Sequence, residues 1–242
     1  MFNIFINDIF YFLKKAKIAN FADDNSTYAE ESDIISLLKA LESETSIVLN
    51  WFKTNEMKPN NDKCHLIVPV VNNRSYSSKY FIYLGSELLE NEDSVKLLGV
   101  QIDEKLNFEE HVTNLLKKGN QKLHALMRIS KYLEEDKLKV IMKTFIESQF
   151  NYCPLIWMCH SRILNNKINK LHERALRVVY KNKELTFEQL LLKDNSFTIH
   201  DRNLQKLALE MYKVKYDICP VPVQQIFEKS LLDTKDTRYP RQ

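Results

Sequence analysis

The sequence predicts an α+β fold, in which a small mixed part up to about residue 103 precedes an all-helical part. Short strand-like segments and turn residues surround one helix in the first part, whereas apolar residues recur at helical spacing throughout the second. The chain contains only three glycines in 242 residues. This scarcity argues against a many-stranded β-sandwich. It also excludes glycine-rich phosphate loops and dinucleotide-binding folds, because both need clustered glycines.

The predicted elements of the first part begin with a helix and a hairpin. Residues 1–13 are apolar and aromatic, and we interpret them as a buried amphipathic helix. Residues 18–29 are expected to form two short strands around a tight turn, because the Asp and Asn side chains at its centre tolerate turn conformations. A helix is expected at about 32–54, with Ser32 or Asp33 as its N-cap.

Further strands are predicted after a proline-containing segment breaks this helix. We place them at Cys64–Val68, Tyr80–Leu84 and Val95–Ile102. The Asn- and Ser-rich residues 72–78 between the first two are expected to form a loop.

Four helices account for the second part. Apolar residues repeat every three or four positions in each, and Lys and Arg cover much of the remaining surface. Pro154 must kink or end regular helix between the second and the third. The last 25 residues contain three prolines and are expected to be poorly ordered. The helices are placed at about 108–128, 136–150, 164–180 and 199–216.

These elements predict three regions. They are a mixed part over residues 1–103, a helical domain over 104–182, and a C-terminal helical region with a disordered tail over 183–242.

The two halves differ in charge. Residues 1–110 hold 11 basic and 18 acidic side chains, and residues 111–242 hold 24 and 14, although the whole chain carries only +3. A basic half suggests a polyanion such as a nucleic acid as its partner. Solvated helix faces explain the same charges equally well at this point.

The sequence gives no sign of a membrane or of an oxidising compartment. No run of about 18 apolar residues occurs, so no transmembrane helix is predicted. Three lysines follow the apolar start rather than precede it, which is the wrong order for a signal peptide. The four cysteines lack a disulfide spacing. We therefore expect an intracellular protein, in the nucleus or the cytoplasm.

The segment Phe21–Asp24 is the sharpest candidate for chemistry. Two adjacent carboxylates at a hairpin tip repel each other unless a cation lies beside them. A turn can direct both toward one region, and Mg²⁺ prefers carboxylate and phosphate oxygens together. Two such ions about 3.5–4 Å apart stabilise the attacking and leaving oxygens of phosphoryl transfer. The alternative is a polar Asp-Asp-Asn turn without metal, since Asp-Asp pairs are common.

Several ordered blocks accompany this segment, which itself has the pattern Phe-Ala-Asp-Asp. They are a helix end at Phe2–Ile9, a helix-and-lysine block at Asn50–Cys64, a Leu-Gly strand at Lys96–Asp103, and segments at Leu106–Val112, Phe150–Leu155 and His172–Arg177. In this order and at this spacing they resemble the reverse transcriptases, or RNA-directed DNA polymerases, of non-LTR retrotransposons, and those of jockey-like elements in particular. The similarity covers about residues 2–216.

The resemblance implies roles for single residues. Asp23 would be a metal ligand and Asp24 a second, less direct one, with Mg²⁺ or Mn²⁺ as the cofactor. Lys63 would approach an incoming deoxynucleoside triphosphate, although an ordinary surface lysine is an equal alternative. Leu98 and Gly99 would let the backbone approach the primer end, with a β-bulge as the alternative.

The resemblance also implies an architecture, namely an incomplete polymerase palm followed by a helical thumb-like domain. The basic face of the first long helix of the second part would follow the phosphates of an RNA template paired with a DNA primer, and this interaction should weaken steeply with salt. The residues of this face are Lys117, Lys118, Lys122 and Arg128.

The sequence departs from the family pattern upstream of the Asp pair. In these polymerases an Asp on an earlier palm strand also holds the metals, and no residue here matches it; Asp8 belongs to the helix-end block. We therefore expect a polymerase fragment that is inactive alone. The alternative is a non-catalytic nucleic-acid-binding remnant that uses its basic helices.

One other group of residues, two cysteines and two histidines, has side chains of the kind that bind metal ions. Its spacing fits no zinc pattern, so we interpret its members as core or surface residues. They are Cys153, Cys159, His160 and His172.

Overall fold

The structure is a computed structural model that describes residues 2–69, 79–221 and 223–224, and it has the predicted α+β class. It divides the chain into two compact units, residues 1–106 and 107–242. No helix within the described ranges combines the length and the apolarity that crossing a membrane requires. The predicted loop at 72–78 and most of the predicted tail lie outside the described residues.

The first unit begins with a short helical segment that is less buried than predicted. Helix α1 (Phe2–Phe5) continues as a 3₁₀ turn over Ile6–Tyr11. Ile6 and Ile9 are buried, whereas Tyr11 is 82% exposed. Residues three apart share one face of a 3₁₀ helix, so the segment buries a narrow stripe and not a broad amphipathic face.

The predicted hairpin and the helix after it are both confirmed. Strands β1 (Ala16–Phe21) and β2 (Asp24–Ala29) pair antiparallel. Helix α2 (Ile34–Thr54) follows, and the Asp33 carboxylate caps it by accepting a hydrogen bond from Ser36 N at 2.9 Å. One apolar cluster joins this part of the unit: Ile6, Ile9, Ile18, Val48 and Trp51.

Two more antiparallel hairpins complete the first unit. Strand β3 (Phe81–Leu84) pairs with β4 (Glu87–Glu90), and β5 (Ser94–Leu97) pairs with β6 (Val100–Asp103). Among the described residues the three hairpins are separate two-stranded sheets.

Two predicted strands of this unit are wrong. The single strand expected over Val95–Ile102 is a hairpin, because the chain turns at Leu98 and Gly99, which have φ values of 46° and 86°. The strand expected over Cys64–Val68 is reduced to one isolated bridge at Leu66.

All the regular secondary structure among the described residues of the second unit is helical. Its second helix is irregular: α4 (Glu135–Ile141) passes into a π turn over Met142–Ile146 and then into a 3₁₀ turn over Glu147–Asn151. The remaining helices are α3 (Glu109–Ile129), α5 (Pro154–Trp157), α6 (Arg162–Val179), α7 (Phe187–Asp194) and α8 (Ile199–Lys215).

One apolar core holds these helices together. Its largest fully buried side chains are Trp157 and Phe150, and Leu190 of α7 and Ile199 of α8 belong to the same cluster. Pro154 is the first residue of α5, a position where its missing N–H is not needed.

Candidate functional site

The carboxylate hairpin, β1 and β2 with their turn, presents its acidic pair to solvent. Phe21 pairs with Asp24, so Ala22 and Asp23 form a two-residue turn. Both Asp23 and Asp24 are exposed. The Asn25 side-chain amide donates to the Asp23 carbonyl at 3.1 Å, and Ala22 has a left-handed φ of 53°, a conformation common in tight hairpin turns.

Contacts with α2 hold the base of this hairpin, whereas its tip is exposed to solvent. Glu44 of α2 is buried, and its carboxylate accepts a hydrogen bond from the backbone N–H of Lys14 at 2.9 Å, just before β1 begins. Ile18 packs into the cluster of Val48 and Trp51. The acidic tip therefore projects from an anchored support.

The donor set at this tip suits Mg²⁺ in kind but not in number. Carboxylate oxygens are what Mg²⁺ prefers, yet two neighbouring carboxylates supply too few ligands for a complete site. Across the described ranges, no group of three or more His, Cys, Asp or Glu side chains is placed to hold a metal ion. The hairpin as described is at most part of a metal site.

The structure does not link Lys63 to the acidic pair. Lys63 ends a 3₁₀ turn (Asn61–Lys63) and is exposed. Its backbone N–H donates to the Asn60 carbonyl at 3.1 Å, but its ammonium group forms no hydrogen bond or ion pair with any residue that the structure describes. Its role in nucleotide binding stays a prediction.

Leu98 and Gly99 lie at the tip of the β5–β6 hairpin. Both are exposed, and both have positive φ. A two-residue hairpin turn of this kind needs left-handed backbone, which Gly adopts freely and Leu does not. The outcome at Gly99 is thus a turn and not the β-bulge that was the alternative.

The four predicted basic residues of α3 all face solvent. The stretch between Glu110 and Glu134 contains no acidic residue, so no carboxylate within it offsets their charge. None forms an ion pair with another described residue. These residues are Lys117, Lys118, Lys122 and Arg128.

Helix α6 packs closely against α3. Gly119 of α3 is buried, and a Cβ atom at this position would lie only 2.5 Å from Leu171 Cδ2 of α6. Arg174 Nη1 donates to Asn120 Oδ1 at 3.2 Å beside this contact. The exposed surfaces of the two helices are therefore continuous on the side of Asn120.

A buried carboxylate joins three helical segments of the second unit. The Glu147 carboxylate accepts hydrogen bonds from His172 Nε2 at 3.0 Å and from Arg202 Nη1 at 2.6 Å. Glu147 and His172 are 4% and 2% exposed. Burial alone raises the pKa of the Glu147 carboxyl, but His172 and Arg202 together outweigh it and hold the pKa below its ordinary value.

A second buried carboxylate, Asp194, ends α7. Its Oδ1 accepts a hydrogen bond from the Tyr180 hydroxyl at 2.7 Å and lies 2.9 Å from Lys139 Nζ, and Lys143 Nζ lies 3.6 Å from Oδ2. Burial raises the pKa of Asp194, but these partners outweigh it and lower the pKa. Burial and the Asp194 carboxylate raise the pKa of Tyr180 well above its ordinary range.

Sequence reasoning missed both buried carboxylates. Asp194 lies four residues after the buried Leu190, so helical spacing could have placed it on the buried face of α7. No comparable signal marks Glu147, because it sits where the helix changes from π to 3₁₀ geometry.

The Cys and His group of the sequence is dispersed. His172 contacts Glu147, and His160 Nδ1 lies 3.0 Å from the Trp157 carbonyl oxygen. Cys159 is exposed and Cys153 is half-buried.

We expect the helical unit to lose stability in two steps as pH falls. Burial, followed by the charge of Lys118, lowers the pKa of His111, and burial lowers that of His160. The same histidines in the unfolded chain have ordinary pKa values, so on acidification they bind protons before those of the folded chain do. Stability is therefore lost from about pH 6.5 downward. The pKa values of Glu147 and Asp194 are lowered in the folded chain, so below about pH 4.5 these carboxyls protonate first in the unfolded chain, and further stability is lost.

Urea unfolding between pH 7.5 and 3.5 measures this dependence. The chain has two tryptophans, so Trp51→Phe leaves Trp157 as a fluorescent probe of the helical unit. His111→Phe and His160→Phe should flatten the step nearest pH 6. A free energy of unfolding that stays constant or rises on acidification would contradict the attribution of these steps to the buried histidines and carboxylates.

Comparison of the chain with models of protein families, with curated proteins and with solved structures found no significant match.

Proposed function

We propose that the chain is part of an RNA-directed DNA polymerase of the reverse-transcriptase type, from a non-LTR retrotransposon. The observation that carries the proposal is the tip of the carboxylate hairpin, where Asp23 and Asp24 face solvent together on an anchored support. The basic surface of α3 supports it, because such a surface suits a duplex of RNA template and DNA primer. The proposal implies an intracellular location, in the nucleus or cytoplasm.

In this proposal Asp23 and Asp24 contribute oxygen ligands to Mg²⁺ or Mn²⁺. When bound, the metal stabilises charge on the transferring phosphoryl group. Lys63 would contact the phosphates of a deoxynucleoside triphosphate, and the Leu98–Gly99 turn would lie near the primer end. Because two carboxylates are too few for the metals, the chain alone is expected to be inactive.

Paramagnetic broadening of amide NMR signals by Mn²⁺ tests the metal role. With a primer–template and a triphosphate present, we expect selective broadening at residues 22–25 that Asp23→Asn with Asp24→Asn removes. Asp62→Asn is a matched control, since Asp62 is also an exposed carboxylate of the first unit. Broadening that is absent from the hairpin, or unchanged in the double variant, would contradict the proposal.

A primer-extension assay with an RNA template tests the expected inactivity. Incorporation by the isolated chain that disappears in Asp23→Ala would refute it and would show a complete active site.

A second candidate function is non-catalytic nucleic-acid binding by the helical unit. The observation that favours it is the exposed basic side chains of α3, none of which forms an ion pair with another described residue. Salt-sensitive duplex binding without Mn²⁺ broadening at the hairpin would select this function.

A further inference from the structure

The Asn120–Arg174 hydrogen bond marks one flank of the contact between α3 and α6. Successive residues of a helix are rotated by about 100°, so residues three, four, seven or eight apart share a side. Lys117 and Arg128 lie three before and eight after Asn120. They therefore extend the Asn120 side of α3.

The exposed basic residues of α6 extend the same flank from the other helix. Lys167 and Lys170 precede Arg174 by seven and four residues, and all three are exposed. Arg174 itself is bonded to a neutral amide, so its charge is not neutralised by Asn120. The flank thus carries positive charge from both helices.

The other two basic residues of α3 lie on the opposite flank. Val112, Gly119 and Leu123 define the buried face of α3. At 100° per residue, Lys122 borders this face on the side away from Asn120, and Lys118 lies one turn before it. The structure therefore separates residues that the sequence placed on one face.

Acidic residues are scarce on this flank. The sequence contains no Asp or Glu over residues 111–133 or 148–172, which include most of α3 and the first part of α6. Glu173 of α6 is engaged by Arg177, whose Nη2 lies 2.8 Å from its Oε1. Within the part of the chain that the structure describes, Lys117, Arg128, Lys167 and Lys170 form no ion pair.

We infer that α6 shares the nucleic-acid surface with α3, and that the phosphate backbone of a duplex crosses both helices on the Asn120–Arg174 flank. This inference rests on the proposed nucleic-acid binding and adds Lys167, Lys170 and Arg174 to it. Rows of charge from two packed helices suit the regularly spaced phosphates of a double helix, because several contacts form at once.

Fluorescence anisotropy with a labelled 20-base-pair RNA–DNA hybrid, at 50–200 mM KCl, tests the inference. Lys167→Ala with Lys170→Ala should weaken binding about tenfold or more at 0.1 M salt, since each lost phosphate contact lowers the salt slope by about 0.9. Adding Arg174→Gln, which keeps an amide donor for Asn120, should weaken it further. Lys167→Arg with Lys170→Arg should bind like the unaltered chain.

Lys213→Ala with Lys215→Ala is the matched control, because it removes the same charge from α8 of the same unit. It should change affinity less than threefold. Equal losses in the α6 and α8 variants would overturn the inference and indicate only an effect of net charge. A larger loss from Lys118→Ala with Lys122→Ala than from the α6 pair would also overturn it.

The outcome for the unaltered chain separates the two proposals. If the unaltered chain fails to bind the hybrid even at 50 mM KCl, the proposed function itself fails. If it binds and the α6 variants bind equally well, only the role of α6 fails. Circular dichroism on each variant confirms that the helices remain folded.

Discussion

Replacing Glu147 by Gln is expected to lower the free energy of unfolding of the helical unit by about 3–5 kcal/mol, the usual cost of breaking a buried ion pair from one side. The carboxylate is 4% exposed and is the shared acceptor for His172 and Arg202. A neutral amide leaves the buried part of the Arg202 guanidinium without a counter-charge. His172 also loses an ionised acceptor, and α6, α8 and the irregular helix lose their common contact.

Urea unfolding followed by Trp157 fluorescence in the Trp51→Phe chain measures this loss. Glu210→Gln is the control, because Glu210 also pairs with a cation, Lys213 at 2.7 Å, but on the partly exposed surface of α8. Such a pair contributes about 0–1 kcal/mol. Equal effects of the two substitutions would show that the buried network is not a special source of stability.

The local signals in the sequence succeeded where one residue type determines the backbone. The Asp-Asp-Asn run predicted a tight turn here, and its first residue, Asp23, forms that turn with Ala22. Asp33, one of the two predicted N-caps, starts α2. Both features depend on short-range hydrogen bonds that a polar side chain makes with nearby backbone groups. Such bonds can be inferred without knowing the tertiary structure.

The β5–β6 hairpin could not be predicted in the same way. Its turn contains Leu98 and Gly99, and Leu lacks the side-chain oxygen that makes Asn or Asp a recognisable turn residue. An apolar run through the turn therefore resembles one continuous strand. The left-handed backbone of Leu98 is imposed by pairing of the flanking strands, which is a non-local effect.

Helix α7 was missed although its signal was present. Thr186 accepts a hydrogen bond from Gln189 N, and the Gln189 side chain accepts one from Thr186 N, which is a complete capping box. The helix spans eight residues, so it offers little apolar periodicity. Local capping was the stronger evidence here.

For the basic surface of α3, the sequence predicted that the side chains are exposed but not how they are arranged relative to α6. The structure confirms that Lys117 and Lys122 are exposed, as their positions between apolar residues indicated. It also places them on different flanks of α3. Their separation by five residues already implies different sides of a helix, but which flank adjoins the basic residues of α6 depends on the packing of Gly119 against Leu171, and the pattern of α3 alone does not contain this information.

Replacing Asp194 by Asn is expected to destabilise the helical unit by about 3 kcal/mol or more, because it removes a buried charge from its cationic partners. The Asp194 side chain is 0% exposed, while Lys139 and Lys143 remain partly exposed. The substitution leaves Lys139 and Lys143 beside Tyr180 with no anion between them. It also makes an already basic unit more positive, so repulsion among its cations adds to the loss.

The repulsion among cations makes the stability of Asp194→Asn depend on salt concentration. Ions screen repulsion between exposed cations but act weakly on a buried pair, so 0.5 M KCl should recover a minor part of the loss and leave most of it. Asp136→Asn is the control, because Asp136 lies exposed in the first turn of α4 and its replacement changes the net charge equally. Thermal unfolding of both variants at 0.05 and 0.5 M KCl distinguishes the two contributions. If high salt restored the full stability of Asp194→Asn, repulsion among the cations alone would explain the loss. The buried contacts of Asp194 with Tyr180 and Lys139 would then not be what holds α7 against α4 and α6.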